Sequence, residues 1–163
     1  MLSVRPVADE DCRLLWEWVN DPGVREAAFQ SHLIPWEEHE AWFHKKCGDS
    51  RCVMYIVMDQ AQHPVGQVRF ETQEDGSTAE ISISMTSEYR GRGYGTEAVR
   101  IACAAFARAT GIKQGLAYIK PWNIASVRTF EKTGFTSLGR RQVRGYEAVC
   151  MSLDMSRQPV TSK

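Results

Sequence analysis

From Ala79 to Met85 the chain alternates, with Ile81, Ile83 and Met85 to one side and Glu80, Ser82 and Ser84 to the other. That period of two predicts a half-buried strand. From Gly95 to Thr110 the period changes to a helical one. Ala98, Ile101, Ala102, Ala105, Phe106 and Ala109 share a stripe, and Glu97, Arg100 and Arg108 lie opposite. Small residues on that stripe predict a helix lying close against a sheet. Upstream, Leu2 to Pro6 reads as a strand and Asp9 to Val19 as a helix with acidic residues in its first turn. Pro22 opens a second short helix to about Phe29, and a third starts near Pro35 and closes at Gly48. Val53 to Met58 and Val65 to Glu71 are strand-like, and Glu74 to Ser77 makes the hairpin into Ala79. Downstream, a strand over Leu116 to Ile119, a helix over Asn123 to Lys132 and a hairpin of Phe135–Val143 with Glu147–Leu153 complete the pattern. The expected fold class is α+β, a single domain over residues 1–155 built on a mixed sheet flanked by helices. The polar segment 156–163 is expected to be a flexible tail.

Between the alternating strand and the long helix stands Glu88-Tyr89-Arg90-Gly91-Arg92-Gly93-Tyr94-Gly95. Glycines permit positive φ and let a ligand approach the backbone closely. The following helix start adds unpaired N–H groups and a positive dipole end, a combination that suits a phosphate. The spacing is not the Gly-x-Gly-x-x-Gly of a dinucleotide site, and no Asp or Glu occurs from Val99 to Ile119. A Gly-Lys-Ser/Thr ending of the P-loop kind is also missing.

Composition narrows the partners. Across 163 residues, 20 basic side chains balance 20 acidic ones, which gives no global field toward nucleic acid or an anionic membrane. No apolar run approaches the ~20 residues of a membrane span, and the N-terminus enters a strand pattern without a signal peptide. Five cysteines without a Cys-x-x-Cys pair fit reduced, mostly buried thiols, hence a cytoplasmic setting. His39 and His44 miss the four-residue spacing of ligands on one helix face, so no metal is expected.

The stretch Arg90-x-x-Gly93-x-Gly95 resembles the acetyl-coenzyme A signature of the GNAT acyltransferases, Arg/Gln-x-x-Gly-x-Gly/Ala. A second stretch, Asn123-Ile124-Ala125-Ser126 followed by Phe130-Glu131-Lys132-Thr133-Gly134-Phe135, resembles that family's other signature, Asn-x-x-Ala/Ser and Tyr-Glu-Lys-x-Gly-Phe. The resemblance implies a sheet splayed between its fourth and fifth strands, with acetyl-CoA as cosubstrate entering the split. Its pyrophosphate would rest on Arg90, Gly91, Arg92, Gly93, Tyr94, Gly95 and Thr96, its pantetheine would pair with the edge of Ala79–Met85, and Asn123 would hydrogen-bond the pantetheine arm. Backbone groups around Met85 are candidates for polarising the thioester carbonyl.

Phe130 departs from the family, because many relatives carry there a tyrosine that protonates the departing thiolate. Ser126 remains as a candidate to hold the thiolate; its other reading is a helix serine that caps or back-bonds the first turn. Glu80 resembles the glutamate that several relatives use as a base through water, and its other reading is a solvated hairpin carboxylate. Transfer would be direct, in a ternary complex, to a primary amine.

Trp16 to Arg25, followed by Ile34 to Trp42 with His39, looks similar to two branches of the family, and Trp18-x-Asn20-Asp21-Pro22 with His39-x-x-Trp42-Phe43 leans toward the first of them. One comprises the pseudaminic-acid-pathway enzymes that acetylate a UDP-linked amino sugar; the other comprises the ribosomal-protein N-terminal acetyltransferases. The acceptor is thus a small-molecule amine or a peptide N-terminus, bound by a monomer or homodimer without nucleic acid or membrane. Aromatic stacking on a sugar and a phosphate contact from Arg25 belong to the first branch, whereas Trp16, Trp18, Trp36 and Trp42 also read as plain packing residues. A non-catalytic coenzyme A sensor is the alternative that Phe130 favours, and an Arg-Gly tract binding RNA is disfavoured by the neutral balance.

Overall fold

The computed structural model describes residues 1–156. Seven strands form one sheet in the order β1-β2-β3-β4-β5-β7-β6. These are β1 (Ser3–Pro6), β2 (Cys52–Met58), β3 (Pro64–Thr72), β4 (Thr78–Met85), β5 (Gln114–Ile119), β6 (Thr136–Val143) and β7 (Tyr146–Asp154). All neighbours are antiparallel except β4 and β5, which run parallel. Five α-helices accompany them: α1 (Cys12–Val19), α2 (Pro22–Ala27), α3 (Trp36–Cys47), α4 (Tyr94–Thr110) and α5 (Ile124–Thr133). The expected tail falls on residues outside the described ones except for Ser156, whose N–H and hydroxyl both bond the Asp154 carboxylate. Among the described residues no helix is long and apolar enough to cross a membrane.

The alternation of each strand sorts the core into two layers. On one face Val68, Phe70, Ala79 and Ile81 meet α4, with Phe70 stacked on Phe106 at 4.2 Å and 4° between ring planes. The small stripe of α4 is what allows that approach, since Ala98 and Ala102 are fully buried. On the other face Met54, Ile56 and Met58 of β2 meet Leu15 of α1 and Phe43 of α3, with Trp18, Trp36 and Trp42 packed around them. The second layer covers β2 and stops. Beyond it, Gln67, Arg69 and Glu71 of β3 pair across to Ser84, Ser82 and Glu80 of β4, so that this face turns polar toward the sheet centre.

Three expectations are revised. The helix from Asp9 is a 3-10 turn over Asp9–Asp11 followed by α1, and Asp11 is not a dipole residue. It is buried, takes two 2.8 Å hydrogen bonds from the Arg5 guanidinium and one from the Ala8 N–H. Those contacts, Arg5 foremost, hold its carboxyl below the usual range against the opposing effect of burial. Glu97 was placed on the solvent face of α4; instead its Oε1 accepts the Leu2 N–H at 2.8 Å and fixes the start of β1 to α4. Thiols are free as expected, though Cys47 is exposed while Cys12, Cys103 and Cys150 are buried. Burial pushes the Cys103 thiol up to about 12 and Cys52 up to about 11, which removes both as nucleophiles.

His39 is buried beneath α1, with Nε2 donating to the Cys12 carbonyl at 2.9 Å and leaving Nδ1 as the acceptor of a neutral ring. Burial pulls its pKa below the ordinary value and the bond to Cys12 only partly offsets this. The unfolded chain therefore takes up a proton that the folded one refuses, so stability falls as pH drops below about 6.5 toward the lower folded value. Urea melts at about pH 7.5 and about pH 5.5 should show a smaller loss in His39→Gln than in the native chain.

At Gly66 an added Cβ would lie 2.6 Å from Met85 Sδ and 2.8 Å from the Ser84 carbonyl oxygen. Gly66→Ala should cost about 1–3 kcal/mol by overpacking, measured as a lowered denaturation midpoint at unchanged slope.

Candidate active site

The β4–β5 ladder holds for only three pairs, from Thr78–Gln114 to Glu80–Leu116. Past that point the strands part, and no β5 residue pairs with Ile81 to Met85. Thr86 N–H donates to the Val65 carbonyl, which sets the alternation of the β3–β4 ladder. Glu80, Ser82 and Ser84 therefore turn their backbone groups to β3, and Ile83 and Met85 turn theirs into the split. These groups need a partner that the sheet does not supply.

At the end of the split the 3-10 turn Ser87–Tyr89 leads into the glycine stretch. Gly91 and Gly93 have φ of 73° and 81°, and a Cβ at either would find no heavy atom within 4 Å. They bend the chain back onto the helix and leave open space before its first N–H groups, where Tyr94 and Thr96 begin α4. Gly95 serves a different purpose. It lies inside α4, and an added Cβ would stand 3.3 Å from Thr129 of α5, so this glycine is for helix contact rather than for a left-handed turn. Tyr89 braces the turn by packing on Tyr94 at 5.0 Å and donating its hydroxyl to Asp59 at 3.0 Å.

Arg90 has its guanidinium committed inside the protein. Nε donates to the Met85 carbonyl at 3.0 Å and Nη2 to Asp21 Oδ2 at 3.0 Å. The same Asp21 oxygen caps α2 through the N–H groups of Gly23 and Val24. Burial works to raise the Asp21 carboxyl, and Arg90 with those N–H groups outweighs it and leaves it below its usual range. Of the residues expected at the pyrophosphate, Arg90 thus joins the turn to the start of α2, while the glycines and the exposed Arg92 border the open space.

The motif around Asn20 is a latch. Asn20 bonds both the N–H and the carbonyl of Ile34, at 2.8 Å and 2.9 Å, and Trp16 Nε1 donates to the same carbonyl at 2.8 Å. Arg25, expected to meet a phosphate, instead spends its donors on the carbonyls of Val19, Gln30 and His32. Trp16 stacks edge-on against Trp36 at 5.4 Å, and Trp42 carries the Arg69 guanidinium at 5.1 Å. The tryptophans are packing residues. The latch holds the loop that presents Phe29.

Glu80 is the last ladder residue before the split, and its side chain is 13% exposed. Arg144 Nη2 donates to its Oε2 at 2.8 Å. Tyr118 lies on the same face two residues past Leu116, and its hydroxyl is pushed up by burial, with the Cys150 thiol and Glu80 adding to the effect. Arg144, Tyr118, Phe29 and Tyr146 were not singled out from sequence. Tyr118 reaches Glu80 from β5, whereas Arg144, Tyr146 and, through them, Phe29 come to it by the turn between β6 and β7, and the one local hint is an arginine before Gly145 in a two-residue turn.

On α5, Asn123 caps the helix with its Oδ1 accepting the Ser126 N–H at 3.3 Å. No hydrogen bond of its amide nitrogen occurs among the described residues. No hydrogen bond of the Ser126 hydroxyl occurs among the described residues, so neither capping nor back-bonding occupies it. Phe130 is 2% exposed and packs edge-on against Phe135 at 4.9 Å, a core residue in place of an acid. No hydrogen bond among the described residues joins Glu80 to Ser126; they belong to two clusters, one at the ladder end and one at the helix start.

The sheet thus has a split parallel pair with a glycine-built helix start at its mouth and a carboxylate at its root. The family described as "Acetyltransferase (GNAT) domain" matches residues 2–136, and the chain belongs to it. It is an acetyltransferase. No curated protein sequence matches the chain. Among solved structures, the aminoglycoside acetyltransferase AAC(6')-Ib with paromomycin and acetyl-CoA superposes with a TM-score of 0.87 at 18% identity, over 99% of both chains. Spermidine N-acetyltransferase from Vibrio cholerae with CoA and spermine gives 0.86 at 19% identity, over 96% of this chain and 97% of that one. A domain from Methanocaldococcus jannaschii gives 0.79 at 24% identity, over 94% and 98%.

The Asp21–Arg90 pair is 32% and 40% exposed, so most of the value of Asp21 lies in its cap. Asp21→Ala should cost about 1 kcal/mol. A double-mutant cycle with Arg90→Ala should return a coupling below about 1 kcal/mol, read from denaturant melts.

Proposed function

We propose that the chain moves an acetyl group from acetyl-CoA directly to the primary amine of a small molecule, with an amino-sugar nucleotide as one acceptor class. The observation that carries this reading is the split itself. Ile83 and Met85 present backbone groups along an edge that no strand covers, and the open turn at Gly91 and Gly93 stands at its end. An extended amide-bearing arm with a pyrophosphate fits both, the arm as a strand partner and the phosphates on the helix start. Acetyl-CoA supplies an activated thioester carbonyl.

The chain's own residues then have separable roles. Glu80, beside the root of the split, takes the proton that an ammonium must lose before it can attack. The N–H of Met85 or Ile83 supports the charge that gathers on the carbonyl oxygen. Ser126, with its hydroxyl unengaged at the start of α5, holds the departing thiolate. Phe130 supplies no proton, and the low basicity of a thiolate relative to an alkoxide makes that loss a matter of rate; one acid–base group is worth ~10²–10⁴-fold. Buried, high-pKa Cys103 and the core position of Cys150 favour direct transfer over a cysteine-bound acyl group.

A second reading, transfer to a peptide N-terminus, draws on the same Glu80 and on the likeness of the wider stretch Trp16–Arg25 to both branches. A sensor without turnover draws on Phe130 alone. Thiol release from acetyl-CoA across UDP-amino sugars, N-terminal peptides and polyamines separates the three, and binding with no release on any amine would leave the sensor. Glu80→Gln should lower kcat by about 10²–10³ at unchanged coenzyme affinity. Gly93→Ala forces a Cβ into a left-handed turn at about 1 kcal/mol of strain. It should weaken acetyl-CoA binding at least about tenfold, seen by calorimetry.

A further inference from the structure

The Glu80–Arg144 pair is costly in a way that a purely structural contact would not be. Arg144 sits with φ of 51° in the two-residue turn between Val143 and Tyr146, ahead of Gly145 at 82°. A turn with two left-handed residues favours Asn-Gly, and a long side chain there is strained. The chain accepts this strain and reaches 64 positions back in sequence to Glu80. Arg144 remains 53% exposed, and its guanidinium lies 5.7 Å from the centre of the Phe29 ring. Phe29 in turn meets Tyr146 at 6.0 Å, and Lys120 Nζ lies 5.4 Å over that ring while donating to the Glu26 carbonyl. An aromatic pair with two cations therefore frames the entrance to Glu80.

The charges around this entrance do not suit a polycation. Glu71, the cross-strand neighbour of Glu80, is already paired with Lys46 at 3.1 Å and with Arg69 at 3.2 Å. Arg141 and Arg144 both act on Tyr118 through their charge. Lys46, Arg69, Lys120, Arg141 and Arg144 outnumber Glu26, Glu71 and Glu80 even when the Glu26 carboxylate is included. An incoming ammonium that displaced Arg144 from Glu80 would strand a guanidinium beside further cations. If the same molecule also carried an anion, one internal pair would become two pairs, ammonium on Glu80 and anion on Arg144, with charge matched throughout.

We propose that Arg144, with Lys120 on the far side of the Phe29–Tyr146 pair, selects an acceptor amine that also carries a carboxylate or phosphate, and that this anion draws Arg144 away and frees Glu80 for the ammonium. The proposal rests on the reading of Glu80 as the acceptor's base. It separates this chain from its structural neighbours, one of which was solved with spermine and another with paromomycin.

The test is calorimetric binding to the coenzyme A-loaded protein of glucosamine 6-phosphate against glucosamine, glycine against glycinamide, and spermidine. Thiol release from acetyl-CoA is followed with the same amines. At least one anionic member should bind about tenfold or more tighter than its uncharged counterpart and than spermidine. Arg144→Asn should abolish that preference while leaving the melting temperature equal or higher, because Asn-Gly suits the turn better. Arg144→Lys should keep part of the preference, as a charge without the planar fork. Equal or tighter binding of the uncharged members or spermidine overturns the proposal, as does a preference that survives Arg144→Asn, or no binding by any anionic amine. Selective binding without thiol release would remove the acetyl-transfer reading and leave the selection standing; thiol release without selection would do the reverse.

Discussion

The departure of β4 from β5 after Glu80–Leu116 is the constraint on which the rest of the molecule depends. A parallel pair that ends after three residues leaves backbone donors and acceptors inside a protein, where an unmet group is expensive. The fold tolerates this because the two half-sheets are secured elsewhere. Phe70 stacks on Phe106 behind β3 and β4, and Gly95 lets α4 approach Thr129 of α5 behind β5. Helix contact thus bridges the gap that strand pairing leaves. The gap is open on the opposite face, where the α1–α3 layer stops at β2 and the sheet surface is polar.

That arrangement explains why the charged residues sit where they do. Arg90 gathers the Met85 carbonyl at the far end of the split and the Asp21 cap of α2, which ties the glycine turn to α2. Asn20, Trp16 and Arg25 then fix the segment after α2, which carries Phe29 toward Arg144. At the near end Glu80 is the last residue still held by the ladder. Its own backbone groups are held by β3, its strand is still paired with β5 at that point, and its side chain is covered by Arg144.

Much of this was legible in the chain. Hydrophobic period, with proline, glycine and charge at the helix ends, placed most strands and helices within a residue or two, and the start of α1 fell three residues late because Asp9–Asp11 form a 3-10 turn. The turn at Gly91 and Gly93 was legible because positive φ restricts the residue type so strongly. The period could not tell which glycine was for conformation and which for contact, and Gly95 proved to be for contact. Nor could it assign Asp11 and Arg25. Their partners, Arg5 and the carbonyls of Val19, Gln30 and His32, are chosen by how short segments fold back on one another. Trp18–Pro22 suggested a ligand site by likeness, whereas its Asn20 and Asp21 are engaged with the protein's own backbone.

Arg144 marks the limit of such reading. Nothing within several residues of it indicates a role, and propensity argues against an arginine at a left-handed turn position. That conflict is itself informative once the tertiary partner is known. Local choices in a chain usually agree with the fold, and the positions that disagree tend to be those where function has outweighed stability. Gln62 is the other non-glycine with positive φ, and it lies in the β2–β3 turn with its side chain returned to the Asp59 carbonyl. Arg144 differs because its side chain leaves the turn and neutralises the one carboxylate at the root of the split. The strain of the turn thus holds a half-exposed guanidinium over that carboxylate, in a contact that a competing anion can reach from solvent.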